Sequence, residues 1–280
     1  MHDSVRVDLP DLTVVIPVRN AVPFIEACLD SAIASGPAEV IVVDGRSTDA
    51  TVEVARRYPV RLLDDGGRGV AAARLMGAEA ATTEWVALVD VDVLLPSGAL
   101  AALLDEVRSG GYTALQAGLE STSGPGYWGR ALVDHHRTGR SKYWFGLVAT
   151  VFRRDAFLHH GLDASFASGD DIEMRFRLER DGERIGVSDR TIVLHRFGDS
   201  FAFARGQFLA DGAGLARMAI KHGWRALPLL ALPAAAAVRG AALSLARGRP
   251  QWLPYYATFL ALNWFAMARH LLTRVVRRQQ

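Results

Sequence analysis

Between residues 12 and 90 the chain alternates strand-length apolar runs with segments of helical period, and that alternation restricts it to a layered α/β fold. "LTVVIPV" (12–18), "AEVIVVD" (38–44), "VRLLD" (60–64) and "EWVALVD" (84–90) are short, largely β-branched runs bounded by polar or turn residues. Such runs read as strands buried on both faces. Between the first two, "AVPFIEACLDSAIAS" sets Phe24, Ile25, Cys28, Leu29 and Ile33 at helical spacing and stops at Gly36-Pro37. "STDATVEVARRY" reads as a helix with Ser47, Thr48 and Asp49 as capping candidates, and "GVAAARLMGAEAAT" as an Ala-rich helix. Strands joined through helices form right-handed crossovers and a parallel sheet. Ligands of such sheets sit at the carboxyl ends of the strands. Asn20, Asp44, Asp90 and Asp92 all fall at such ends, so separate strands deliver polar groups to one edge.

Half of the 280 residues are hydrophobic, enough for a substantial core and too many for a disordered chain. The first strand runs into "PVRNAVPF". Neither a P-loop nor GxGxxG follows it, which argues against a Walker ATPase and a dinucleotide dehydrogenase. "GGRG" (66–69) reads as a flexible turn. Cys28 is the single cysteine, so no internal disulfide forms, in keeping with a reducing compartment. The stretch "MHDSVRVDLPDL" carries acids and no apolar core, unlike a signal peptide.

A D-x-D pair alone is turn chemistry as readily as a site. At the mouth of a buried strand, among other polar strand ends, Asp90 and Asp92 suit a hard divalent cation, Mg²⁺ or Mn²⁺. A second acidic group lies in "GLDASFASGDDIEMRFRLERDG" (161–182). A helix cap explains one acid there, but Asp170, Asp171 and Glu173 together exceed what a cap needs. The alternative use is a general base for a hydroxyl nucleophile. "RTIVLHRFGDS" (190–200) reads as a strand leading to His195, a packed histidine or, as neutral imidazole, a ligand beside carboxylates. Trp128, Tyr143 and Trp144 can stack on an acceptor or belong to the core. His135-His136 do not form a convincing metal set.

"TVVIPVRNAVPFIEACLDSAIAS", "EVIVVDGRSTDATVEVA" and "EWVALVDVDVLLPSGAL" resemble the nucleotide-binding half of family-2 glycosyltransferases. The resemblance spans roughly residues 11 to 200. It implies a GT-A fold, with a mostly parallel nucleotide-binding sheet flanked by helices. By that resemblance Pro17 and Asn20 form the Pro-x-x-Asn element, Asp44 contacts the base, Asp90 the ribose and metal region, and Asp92 the metal. Arg74 matches the Arg of the family's Arg-Asn pair; Leu75 replaces the Asn, and Gly45 stands where a second Asp is usual. Asp171 matches the catalytic Asp, with Asp170 where Glu is commoner and with Arg177-Leu178 and Gly182 in kind. His195 resembles a further metal ligand, and "GLVATVFRRDAF" a strand bearing a small residue near the donor sugar. Asp170, Trp128 and Trp144 are acceptor-side candidates. The implied activity is an inverting, metal-dependent transfer from a nucleoside-diphosphate sugar to an acceptor hydroxyl. Two other readings stay open: a sugar-phosphate nucleotidyltransferase, whose Gly-rich loop is missing after the first strand, and a non-catalytic relative, against which Asp92 and Asp171 stand.

The last sixty residues differ from the rest. From Lys221 to Gln280 there are nine Lys/Arg and no Asp or Glu, which leaves a net −7 on residues 1–220 of a chain that totals +2. "WRALPLLALPAAAAV" (224–238) and "WLPYYATFLALNWFAM" (252–267) each hold about fifteen residues free of charge except Arg225, short of the roughly twenty a straight span needs. They read as amphipathic or hydrophobic interfacial helices. The preceding "FARGQFLADGAGLARMAIKHGW" resembles the segment before the membrane helices of exopolysaccharide-type members. The organisation expected is a catalytic domain over 1–220, divided into a nucleotide-sugar half (11–111) and an acceptor half (112–220), followed by a basic tail over 221–280. The tail suggests a cytoplasmic protein lying peripherally on the inner face of the cell membrane, with a lipid-linked saccharide or glycolipid as acceptor. A hairpin packed on the catalytic domain, or on a second copy in a homo-oligomer, is the alternative. No nucleic-acid motif is present.

Overall fold

A computed structural model of the chain describes residues 8–139, 143–166 and 168–277, the last four by backbone alone. The stretch 1–7 and the side chains of Arg274, Arg277 and Arg278 lie outside the described residues. The strands are β1 (Leu9–Val18), β2 (Pro37–Asp44), β3 (Arg61–Asp64), β4 (Trp85–Val89), β5 (Val93–Leu94), β6 (Ala114–Ser123), β7 (Ala149–Arg153) and β8 (Ile185–Phe197). They form an eight-stranded sheet in the order β3-β2-β1-β4-β7-β6-β8-β5. The chain makes two compact units: residues 1–120, 143–165 and 171–196 in the first, and 121–142, 166–170 and 197–280 in the second.

In the first unit β3, β2, β1 and β4 are parallel, as the alternation requires. Val18 lies opposite Asp44, and Asp44 opposite Asp64, so the loops after these strands leave from one edge. β7 is antiparallel to β4, with Ala149 opposite Val89. The start of β7 therefore meets the end of β4 at that same edge.

Helices α1 (Val22–Ala34), α2 (Thr51–Ala55), α3 (Val70–Ala80), α4 (Ala99–Ser109), α6 (Arg154–His160) and α7 (Asp170–Arg180) accompany the sheet. Successive β1 side chains point to opposite faces. Val14 and Ile16 join Ile25, Leu29 and Leu103 in one core, while Val15 joins Ile41, Leu88, Phe152 and Met174 in the other. Burial of each such Ile, Leu or Phe contributes roughly 1.5–3 kcal/mol. Gly77 lets α3 approach the sheet, because a β-carbon there would collide with the Val15 side chain.

Two local expectations are corrected. α2 begins at Thr51 behind Ala50, and no side chain caps it; Ser47 and Thr48 bond elsewhere, and the Asp49 Oδ1 accepts from the Thr51 amide at 3.0 Å inside the first turn. His195 lies within β8 rather than beyond its end, because the strand continues to Phe197.

The second unit is helical: α5 (Tyr127–Thr138), α8 (Phe201–His222), α9 (Leu232–Ala246) and α10 (Leu253–Arg277). The Ser200 hydroxyl caps α8 by accepting from the Phe203 amide. Phe208, Tyr255, Phe259 and Trp128 share an aromatic core. Gly212 allows the α8–α10 crossing, since a β-carbon would strike the Asn263 carbonyl. The apolar segment before α10 is longer than its charge-free run. Helical turns continue over Leu227–Ala246, twenty residues that include an eighteen-residue window of mean hydropathy 1.7, and by length and composition alone that segment is sufficient to cross a membrane. Arg239 does not end the helix, because its guanidinium donates to the Thr138 carbonyl at 2.6 Å.

Candidate active site

The loops leaving β1 and β2 lock together. Asn20 adopts a positive φ of 52° and follows Pro17 at the buried end of β1. Its amide donates to the Ser47 hydroxyl at 2.9 Å, and its Oδ1 accepts from the Thr48 amide at 2.8 Å. The buried Asp44 carboxylate accepts from the Ser47 amide through both oxygens, at 3.2 and 3.1 Å. The residues of the expected caps thus shape the turn after β2.

Asp65 was not singled out by the sequence. It is 1% exposed, and its carboxylate accepts from the amides of Gly67 (2.6 Å) and Gly69 (3.1 Å). Gly66, Gly67 and Gly69 all have positive φ, which is why glycines fill this turn. The "GGRG" stretch is accordingly an ordered turn leading into α3. One helical turn further on, Arg74 is buried and donates to Asp90 Oδ1 at 2.6 Å.

Asp90 follows β4 directly. Its amide donates to the Val148 carbonyl at 2.8 Å, and its carbonyl accepts from Val93 at 3.0 Å, which closes the D-x-D turn. Burial pushes the Asp90 carboxyl above its ordinary range; Arg74 pulls it down, and the neighbouring Asp92 charge pushes it up again. Behind the turn the Cys28 thiol, buried and pushed up to about 12 chiefly by burial, points at the Asp90 carbonyl from 3.8 Å. It is un-ionised filling rather than a reactive thiol.

β5 returns alongside β8, with Val93 opposite His195, so the pairing brings Asp92 and His195 together. His195 Nε2 is 3.3 Å from Asp92 Oδ2. Asp92 Oδ1 is buried with no hydrogen-bond partner among the described residues. A buried carboxylate oxygen without a donor costs about 1–3 kcal/mol or more, and a cation would satisfy it. One carboxylate and one imidazole is a donor set that suits Mn²⁺ when phosphate oxygens complete the shell, and Mg²⁺ through the oxygen donors alone. Among the described residues no group of three or more His, Cys, Asp or Glu surrounds a common point. The protein-only set is thus this pair, and it fits a divalent ion shared with a ligand.

Asp171 opens the helix side of the site. Its Oδ1 accepts from the Ile172 amide at 2.8 Å. A β-carbon on Gly146 would stand 3.1 Å from its Oδ2 and 3.0 Å from the buried Gln116 Oε1. The Gly146 amide donates to that Gln116 oxygen at 2.7 Å, and Thr150 donates to the Gly146 carbonyl at 2.8 Å. Gly146 and Val148 are two residues apart on the approach to β7, so one short segment touches both Asp171 and Asp90. One helical turn after Asp171, Arg175 places its guanidinium 5.7 Å from the ring of the exposed Trp144. The family-like Arg177 grips Glu173 with Nε at 3.1 and 3.0 Å and donates to the carbonyls of His160 and Gly161, so it anchors α7 to the loop before it.

Pro17, Asn20, Asp44, Arg74, Asp90, Asp92, Asp171 and His195 all belong to the first unit, in or beside the strand ends and loops of the sheet, and Trp144 lies against Arg175 there. Asp170 is 4% exposed and belongs to the second unit. Trp128 belongs there too, packed 5.2 Å from Tyr127 and 4.8 Å from Phe201.

Known proteins share this architecture. Succinoglycan biosynthesis protein ExoA of Rhizobium meliloti (strain 1021) is 28% identical over 260 residues, spanning 83% of this chain and 78% of its own. The structure of the mannosyltransferase PcManGT from Pyrobaculum calidifontis, in complex with GDP-Man and Mn²⁺, is similar with a TM-score of 0.64 at 22% identity, over 94% of this chain and 90% of that one. S. aureus TarS 1-349 in complex with UDP gives a TM-score of 0.53 at 16% identity, over 96% and 92%. At these identities the two structures establish the fold, which is GT-A. Residues 13–164, more than half of the chain, match the sequence pattern of glycosyl transferase family 2, and the chain belongs to that family of glycosyltransferases.

Proposed function

We propose that this glycosyltransferase is an inverting, metal-dependent enzyme that moves a sugar from a nucleoside diphosphate to an acceptor hydroxyl. In this reading residues 11–111 bind the donor and 112–220 the acceptor. Pro17, Asn20 and Asp44 shape the base site, and Arg74 with Asp90 meets the ribose and diphosphate. Asp92 and His195 hold a divalent ion, which when bound would neutralise charge on the departing diphosphate. Asp171 takes the proton of the acceptor hydroxyl as its oxygen bonds to C1 of the sugar. The bond from C1 to the diphosphate oxygen breaks in the same step, and the configuration at C1 inverts. Asp170, Trp128 and Trp144 are the acceptor-side candidates.

The observation that carries this reading is the short span from Gly146 to Val148, which packs Asp171 at one end and bonds Asp90 at the other. A base and a carboxylate on the ribose and metal side of the donor, held on one rigid edge, are what a single displacement needs. The GDP-Man and Mn²⁺ bound by one structural relative and the UDP bound by another support the donor class and the ion.

The tail fits a membrane surface. Trp224, Leu227, Val238, Trp264 and Phe265 are exposed in the second unit, within a stretch that has no acidic residue. Aromatic and aliphatic side chains among cations bind anionic lipid, and each Lys or Arg near the surface contributes about 1 kcal/mol. A cytoplasmic enzyme lying on the inner face of the cell membrane, with a lipid-linked saccharide or glycolipid acceptor, follows from this.

The test is a panel of nucleotide sugars with Mn²⁺ or Mg²⁺, scored by nucleoside diphosphate release. One donor should be turned over only with metal, and Asp171→Asn should lower kcat by about 10²–10⁴-fold. Full transfer by that variant would remove Asp171 from the role of base.

A further inference from the structure

Arg196 follows His195 on β8, and its polar contacts go to backbone oxygens. Its amide donates to the Asp92 carbonyl at 2.9 Å, and its Nε approaches the same oxygen at 3.4 Å. A terminal guanidinium nitrogen donates to the Phe24 carbonyl at 3.0 Å and reaches the Val91 carbonyl at 3.5 Å. The guanidinium carbon lies 5.1 Å from the centre of the Phe24 ring. A guanidinium offers five donors in a fixed fork, and charge-assisted bonds to carbonyls are stronger than neutral ones.

The three carbonyls belong to two elements. Val91 and Asp92 are the middle and end of the D-x-D turn, and Phe24 lies in the first turn of α1, four residues after Asn20. Side chains of neighbouring strand residues leave on opposite faces. His195 thus meets the Asp92 carboxylate at 3.3 Å, while Arg196 holds the Asp92 main chain from the other side.

We propose that Arg196 is a positioning residue for the metal pair: by fixing the peptide groups of Val91 and Asp92 against α1, it orients the Asp92 carboxylate toward His195. This rests on the reading of Asp92 and His195 as metal ligands. A lysine keeps the charge but presents a point donor, which cannot span Phe24, Val91 and Asp92 together.

The test is Mn²⁺ binding without turnover, measured by electron paramagnetic resonance. Mn²⁺ is used alone and with UDP or GDP, on the full chain and on Asp92→Asn, Arg196→Lys and Arg196→Gln. Melting temperatures are followed in parallel. Loss of a group that orients a metal ligand weakens binding by about 10–100-fold. That range is the expectation for Arg196→Lys while it remains folded, with Arg196→Gln at least as weak. If both variants bind Mn²⁺ as tightly as the parent, or lose only melting temperature, the assignment is overturned. If the parent binds Mn²⁺ no better than Asp92→Asn, the metal reading falls and this inference with it.

Discussion

Gly146 offers a sharp test of the base assignment, because the change required is a single methyl group. An alanine β-carbon there would lie 3.0 Å from Gln116 Oε1, 3.1 Å from Asp171 Oδ2 and 3.9 Å from Asp171 Cβ. Favourable heavy-atom contacts begin at about 3.5 Å, so the two oxygens stand about 0.4–0.5 Å too close to the new methyl. Gln116 is 2% exposed and bonded to the Gly146 amide, which leaves it little room to retreat. The half-buried Asp171 carboxylate is therefore the group that moves. A misplacement of about 1 Å in a catalytic group costs about 10²-fold, so one of about half that size costs about tenfold. Gly146→Ala should then lower kcat by about tenfold, or about 1.4 kcal/mol of barrier. Mn²⁺ binding should stay unchanged. Gly146 is not among the glycines of positive φ, so alanine meets no backbone strain there. Loss of unfolded-chain freedom stabilises by about 0.4–1 kcal/mol, which offsets much of the crowding. The assay is nucleoside diphosphate release at saturating donor, with melting temperature beside it. Gly206→Ala, on α8 with nothing within 4 Å of the new methyl, serves as the control. A folded Gly146→Ala enzyme with parental kcat would refute the argument that Asp171 acts from this position.

Two further outcomes are expected. Burial holds the His135 imidazole down at about 4, with Arg239 adding to the effect; between its ordinary 6.5 and that value the unfolded chain takes up a proton that the folded chain does not. Stability should therefore fall as pH drops from about 6.5 toward 4, by about 1.4 kcal/mol per unit and at most about 3 kcal/mol. Urea unfolding at pH 7 and pH 5 should show a larger loss for the parent than for His135→Phe, and equal losses would show that His135 does not stay neutral. On the tail, Trp264→Ser with Phe265→Ser should reduce co-sedimentation with anionic vesicles several-fold while leaving donor turnover intact, since both side chains are more than 45% exposed; unchanged sedimentation would detach these residues from the membrane. Deleting the tail is a poorer test, because it would uncover Phe208, Leu215 and Ala216 of α8.

The parallel half of the fold was legible because each strand there is an apolar run closed by a polar residue, and burial on both faces demands that pattern. The Asp92–His195 pairing was not legible from spacing, since the two lie a hundred residues apart and meet only through the β5–β8 ladder. Arg196 left no mark because its partners are carbonyl oxygens, which every residue has. Asp65 was hidden for a similar reason: its bonds go to glycine amides, and the sequence shows only a glycine cluster. α2 came out shorter because Ser47 and Thr48, sound cap residues by type, bond to Asp44 and Asn20 across the loop. The charge-free run 224–238 stops at Arg239, whereas the helix continues through it, with the Arg239 guanidinium bonded to the Thr138 carbonyl.

The D-x-D turn shows how a carboxylate can be held ready without being satisfied. Three residues cross from β4 to β5, and each end is fixed by backbone: the Asp90 amide to Val148 before β7, and the Asp92 carbonyl to the Arg196 amide on β8. Main-chain bonds therefore fix both ends of the turn, and the Arg196 guanidinium adds a hold on the Val91 and Asp92 carbonyls. Asp90 is taken up by Arg74, whereas Asp92 Oδ1 is left buried and unbonded. A sequence selected for stability alone would place a donor there, or an apolar residue in place of the acid. The penalty is local, of about 1–3 kcal/mol, and the sheet around it is stable enough to bear it. A cation held there, as proposed above, would remove that penalty.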